Sequence, residues 1–226
     1  MFKKYKGPIR FEFEKGEFVQ ICELNAKNCA RDFFVLAQAD QKMILFRDGD
    51  RYDCSPGRIY PFSKDPKKKK SLFNRKACER IKIVCLATDC VHRVEWGASE
   101  IMMKDRASDK TYRIGAVGDI YFMIGGSIDA VNAFCHNGLV TSGFSERSNE
   151  QIKESIRDVV VNSFVSFLTR SELYTSLIGK ELLPDEMLSL NKSFCSELKP
   201  VLAEFGIDVK PYRTLISRIV SKEIGK

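Results

Sequence analysis

The sequence predicts an α+β fold: an antiparallel, β-rich N-terminal part followed by a part that contains two main helices. Three observations predict it. Apolar residues recur at every second position through the first half, then at every third or fourth from about Ser127 onward. Two turn signals, Asp48-Gly49 and Pro56-Gly57, stand close together between strand-like runs. Strands come first, then helices, then one late strand, without the regular strand–helix alternation of a parallel sheet.

In chain order, Ile9, Phe11 and Phe13 alternate with Arg10, Glu12 and Glu14, the pattern of a half-buried strand. Extended runs follow at Phe18 to Leu24, Phe33 to Ala37 and Lys42 to Phe46. Asp48-Gly49 then suits a type I′ hairpin, which needs positive φ at both central residues. Pro56-Gly57 suits a type II turn, with proline presetting φ and glycine taking the positive value. These four residues are structural turns and include neither nucleophile nor base. Arg58 to Phe62 and Arg80 to Leu86 read as strands, as does Val91 to Trp96; Trp96 is expected in the core. After a polar turn between Asp105 and Lys110, Thr111 to Ile124 is again extended, with Gly115 and Gly118 marking bulges or close backbone approach.

Ser127 to Phe134 resembles a short helix. Ser148 and Gln151 form a capping box ahead of a helix running to about Thr169, with Ile152, Ile156, Val160 and Phe164 along one face. The next helix runs from Pro184, at a first-turn position, to Phe205 and is closed by Gly206. Pro200 should kink or split it. Ile207 to Leu215 returns to extended structure, held to an edge by Pro211.

The 226 residues are 44% hydrophobic and 30% charged, ordinary values for a soluble globular protein with a substantial core. No run approaches the roughly 18 apolar residues of a membrane span, and the N-terminus lacks the apolar region of a signal peptide. A cytoplasmic location is the default expectation. The eight cysteines (22, 29, 54, 78, 85, 90, 135 and 195) include no C-x-x-C pair and read as small buried hydrophobes kept reduced.

The net charge is +7, concentrated at Lys67, Lys68, Lys69 and Lys70. Such a run is most often a solvated loop. Attraction to an anionic membrane surface, worth on the order of 1 kcal/mol per lysine, is the alternative. Nucleic acid ranks last and is not expected, because no aromatics interleave the lysines. The two histidines, His92 and His136, each lie near a cysteine, but no spacing supplies the three or four ligands of a zinc site. No nucleophile elbow, P-loop or H-E-x-x-H occurs, and Asp48-Gly49-Asp50 with Asp53 lacks the twelve-residue frame of an EF-hand. No catalytic, metal-binding or cofactor-binding residue is expected, and the chain does not read as an enzyme.

Taken in order, several blocks resemble the SPFH (band 7, stomatin–prohibitin–flotillin) family, in particular its soluble bacterial virion core protein-like branch. They are Gln41-Lys42-Met43-Ile44-Leu45-Phe46-Arg47-Asp48-Gly49, Ser55-Pro56-Gly57-Arg58-Ile59-Tyr60, and Glu95-Trp96-Gly97-Ala98 with Asp105 beyond it. Tyr112-Arg113-Ile114-Gly115, Gly118-Asp119-Ile120-Tyr121 and Gly206-Ile207-Asp208-Val209 follow. The resemblance spans roughly residues 16 to 220. It implies a single SPFH-like domain over 1–226, with a β-rich subdomain over 1–98 and a helix-containing one over 99–226.

It also implies a non-catalytic scaffold that forms homo-oligomers and acts at or near a membrane, peripheral to its inner face, through a membrane surface or a membrane protein partner. The coiled coil, the zinc-ribbon tail and the hydrophobic anchor of various relatives have no counterpart here, so functions residing in them are not expected of these residues. Lys67 to Lys70 are the expected anionic-lipid contact. A soluble protein-interaction module without membrane contact is the other expectation, ahead of a small-molecule enzyme or a nucleic-acid binder.

Overall fold

A computed structural model describes residues 9–24, 34–36, 38–47, 50–54, 59–61, 81–88, 90–105, 108–136, 149–170, 181–210 and 215–224. The chain divides into two units, Met1–Cys90 and Val91–Lys226. The architecture is α+β, with antiparallel sheets and three described helices.

The first unit contains β1 (Val19–Leu24), β2 (Phe34–Leu36), β3 (Gln41–Arg47), β4 (Asp50–Cys54), β5 (Ile59–Pro61) and β6 (Ile81–Ala87). Four of these form an antiparallel sheet in the order β1-β6-β3-β4, and β2 pairs with β5. The β3–β4 ladder ends at the pair Arg47–Asp50. The expected turns at Asp48, Gly49, Pro56 and Gly57, between and after these strands, lie outside the described residues. Met43, Leu45, Ile83 and Cys85 form a core with Ile9, Phe11 and Val35. Ile44, Val84 and Leu86, which alternate with them, are equally buried. Both faces of the sheet are therefore covered, which explains why Ile81 to Ala87 is apolar at nearly every position.

One expected strand is corrected. Residues 9 to 13 form no ladder; Ile9 makes a single parallel bridge with Val35, and its carbonyl accepts from the Leu36 N–H at 3.0 Å. The alternation there records burial of Ile9 and Phe11, which are 4% and 5% exposed. A side chain takes the place of a strand partner: buried Gln41 donates through Nε2 to the Phe11 carbonyl at 3.0 Å.

The second unit is built on β7 (His92–Lys104) and β8 (Thr111–Ile124), joined antiparallel along nearly their whole length. β7 runs through 98/99, where the sequence placed a subdomain boundary. Its alternation slips once, at a bulge between Ala98 and Ile101, and Glu100 takes a φ of 69°. The other edge of β8 pairs with β9 (Ile207–Val209) at one end and with β10 (Arg218–Ile224) at the other. The expected single late strand over Ile207 to Leu215 is therefore corrected to two, one of them beyond Leu215.

One face of this sheet carries α1 (Ile128–His136), α2 (Asn149–Arg170) and α3 (Pro184–Ala203). The Ser127 hydroxyl caps α1 by accepting from the Ala130 N–H at 3.1 Å. The expected capping serine of α2, Ser148, lies outside the described residues. Ile152, Ile156, Val160, Phe164, Phe167 and Leu168 give α2 a buried stripe at helical spacing. At the start of α3, Leu183 offers no side-chain acceptor, but its N–H donates to the Glu186 carboxylate at 2.9 Å.

The expected split of α3 at Pro200 does not occur. Pro200 sits exposed in the last turn, where its missing N–H removes one hydrogen bond and leaves the helix above it intact. The helix closes at Gly206, whose φ is 70°. A side chain at 206 would also collide with the Ala130 carbonyl, so shape and backbone sign both select glycine there.

Candidate functional site

Alternation along β7 and β8 sorts their residues cleanly between two faces. Val94, Trp96, Ala98, Ile114, Ala116, Ile120 and Phe122 face the helices and are buried. Trp96 is in the core as expected, with ring centroids 5.2 Å from Phe164 and 6.0 Å from Phe194. Its Nε1–H donates to the Leu215 carbonyl at 2.8 Å. That carbonyl lies over Gly118, where a side chain would collide with it. Asn191 of α3 grips the next residue from both sides: Nδ2 donates to the Ile216 carbonyl at 3.0 Å, and Oδ1 accepts the Ile216 N–H at 2.6 Å. Ser217 then reaches the Val117 carbonyl, through its N–H at 2.9 Å and its hydroxyl at 3.0 Å. These bonds fix the start of β10 on the sheet.

The opposite face is open. Register places Gly97 beside Val117, Val117 beside Arg218, Gly115 beside Val220, and Met102 beside Arg113. Met102, Val117 and Val220 are 57%, 48% and 52% exposed. Two glycines among them keep the surface low and flat.

Charges rim this apolar strip. Arg93 donates through Nε to Asp119 Oδ1 at 2.8 Å, and its Nη2 lies 2.8 Å from the same oxygen and 3.0 Å from Glu95 Oε1. The hydrogen bond and charge of Asp119 raise the pKa of the Arg93 guanidinium further above its already high value. At the other end Arg113 pairs with Glu100 at 3.3 Å, and Lys104 with Asp109 at 2.6 Å. A shallow basin of about 550 Å³ opens where Arg93, Glu95 and Asp119 meet Gly97, Val117 and Ser217. Arg157 of α2 closes one side of it, with Nε donating to the Glu95 carbonyl at 2.9 Å.

The basin offers side chains that are already engaged, Arg93 with Asp119 and Glu95, and Arg157 and the Ser217 hydroxyl with backbone carbonyls, which suits it to recognising a polar surface. β7 is also the last strand of its sheet: among the described residues it pairs with β8 alone.

Lys67, Lys68, Lys69 and Lys70, the expected lipid contact, lie outside the described residues. Cys90 is exposed, while His92 is buried against Phe122, with ring centroids 5.5 Å apart. At the end of α1 Cys135 is buried and His136 exposed, so the two neighbours face different surroundings. Among the described residues, no three His, Cys, Asp or Glu side chains are grouped to hold a metal ion. Asp105 serves the β7–β8 turn, accepting from the Ser108 N–H at 3.2 Å and from its hydroxyl. Cys85 and Cys135 are buried as expected of small hydrophobes; Cys22 and Cys195 are half-buried, and burial pushes the Cys195 thiol up.

The Arg93–Glu95–Asp119 cluster was not singled out from sequence. Its signal was present in part, since Arg93 and Glu95 occupy the polar positions of an alternating strand; Asp119 joins them only through the β7–β8 register. Among the described residues no helix is long and apolar enough to cross a membrane. Compared with known proteins, the chain matches no family model and no curated protein.

Proposed function

We propose that this chain is a scaffold of the SPFH kind, which assembles with itself and acts at or near a membrane surface through a partner protein, without chemistry of its own. The open face of the second sheet carries the reading. Three large apolar side chains are half exposed there, Val117 in register with Gly97 and Val220 with Gly115, and charges that pair with one another lie around them. An exposed apolar face rimmed by polar groups is a surface through which soluble proteins make contacts. The succession of a first unit whose described elements are all strands and a second unit of sheet and helices also suits the resemblance seen in the sequence.

Cosedimentation with anionic vesicles at low salt tests the membrane half of the proposal. Changing Lys67 to Lys70 to serine should abolish cosedimentation and leave the melting temperature unchanged. Four lysines supply at most about 4 kcal/mol before screening, so attachment needs a second contact. Equal binding by parent and variant, or none by either, would remove the lysines from the account. The exposed strip equally favours a protein-interaction module that never touches lipid. Flotation with and without the partner separates the two readings.

A further inference from the structure

Among the described residues no strand pairs with the outer edge of β7, and that edge can be read residue by residue. The Glu95 carbonyl meets Arg157, and the Val117 carbonyl meets Ser217 on the far side of β8, so Glu95–Asp119 and Gly97–Val117 are pairs that exchange no hydrogen bonds. In an antiparallel ladder both backbone groups of a residue point the same way. The N–H and C=O groups of Arg93, Glu95 and Gly97 therefore face outward along the edge. Sheets guard such edges with proline, bulges or lone charges. Here the bulge falls later, beyond Ala98, and Arg93 to Gly97 contains no proline.

We propose that this edge joins two copies of the chain, β7 against β7 antiparallel, with Arg93 opposite Glu95 of the second copy and the two-fold axis at Val94. Charge complementarity selects both occupant and register. Arg93 and Glu95 lie two residues apart on one face, so a second copy running antiparallel presents each charge to its opposite, twice. Shifting the register by two in one direction sets Glu95 against Glu95. Cross-strand opposite charges stabilise a pair and like charges oppose it. The side chains of Arg93 and Glu95 are 52% and 74% exposed, which leaves them accessible. The Glu95 carbonyl keeps a second lone pair for the incoming strand while Arg157 holds the first. The contact rests on the self-assembling scaffold proposed above and names the surface through which it assembles.

Sedimentation equilibrium of the full chain over a wide concentration range tests it, comparing parent, R93E, E95R and the double reversal R93E/E95R. Each single reversal should weaken dimerisation about tenfold, since two symmetric pairs turn repulsive, and the double reversal should restore most of the affinity. E95R leaves the Arg93–Asp119 ion pair in place, so it decides the matter alone if R93E does not fold. A parent that stays monomeric throughout would overturn both the edge contact and self-assembly. A parent that dimerises as strongly as E95R, or a double reversal no better than the singles, would overturn the edge contact and leave self-assembly standing.

Discussion

Truncating Asn191 to alanine removes the side chain that ties α3 to the strand segment ahead of β10. Asn191 is 6% exposed and Ile216 is 1% exposed, so water cannot replace the lost amide. The N–H and C=O of Ile216 both lose their side-chain partner, at 2.6 and 3.0 Å in the parent. Each orphaned buried group costs about 1–3 kcal/mol, giving about 2–6 kcal/mol for the pair. At about 2–4 °C per kcal/mol for a chain of this size, the melting temperature should fall by roughly 4–24 °C. Differential scanning calorimetry reads that shift directly. Trp96→Phe removes the neighbouring bond to the Leu215 carbonyl, and N191A/W96F should cost less than the sum of the singles because both anchor one segment. A melting temperature for N191A within about 2 °C of the parent, or strict additivity, would refute the reasoning.

Gly206→Ala should destabilise by clearly more than the ~1 kcal/mol of an ordinary glycine effect, because φ is positive and the Ala130 carbonyl is in the way, whereas Gly126→Ala meets nothing nearby; urea unfolding of the two variants compares them. Glu17 and Glu150 sit below the ordinary value of 4.5, Glu17 through the Glu14 N–H and Gln20, and Glu150 through Lys153. A carboxylate depressed in the folded state contributes stability that is present above its unfolded pKa and lost as pH falls through the folded one. Melting temperature should therefore drop as pH falls below about 4.5, with a shallower slope in Glu17→Gln, by a small amount because Glu150 is exposed and Glu17 only partly buried.

Periodicity carried much of the fold. The two long strands and the two long helices announce themselves because each buries one face, and burial dictates the spacing of apolar residues. The failures have local causes. β7 was expected to end near Trp96 because the bulge at Ser99 and Glu100 breaks its alternation, although the ladder resumes at Ile101. β10 is half polar and sits at an edge, so burial imposed little pattern on it. Nothing in the sequence singles out Asn191 within its amphipathic helix; only the fold shows the backbone segment that its amide holds. The open face was legible as the polar side of two strands, but its glycine and valine floor became a surface only once register set Gly97 beside Val117 and Gly115 beside Val220.

Amide hydrogen exchange at Arg93 and Glu95, followed as protein concentration is raised, tests the central claim most directly. No described strand takes these two outward N–H groups. Self-assembly through β7 predicts that both exchange faster in dilute solution and slow together as concentration increases, and that E95R keeps them fast throughout. Exchange that is indifferent to concentration, or equally slow in E95R, would contradict it.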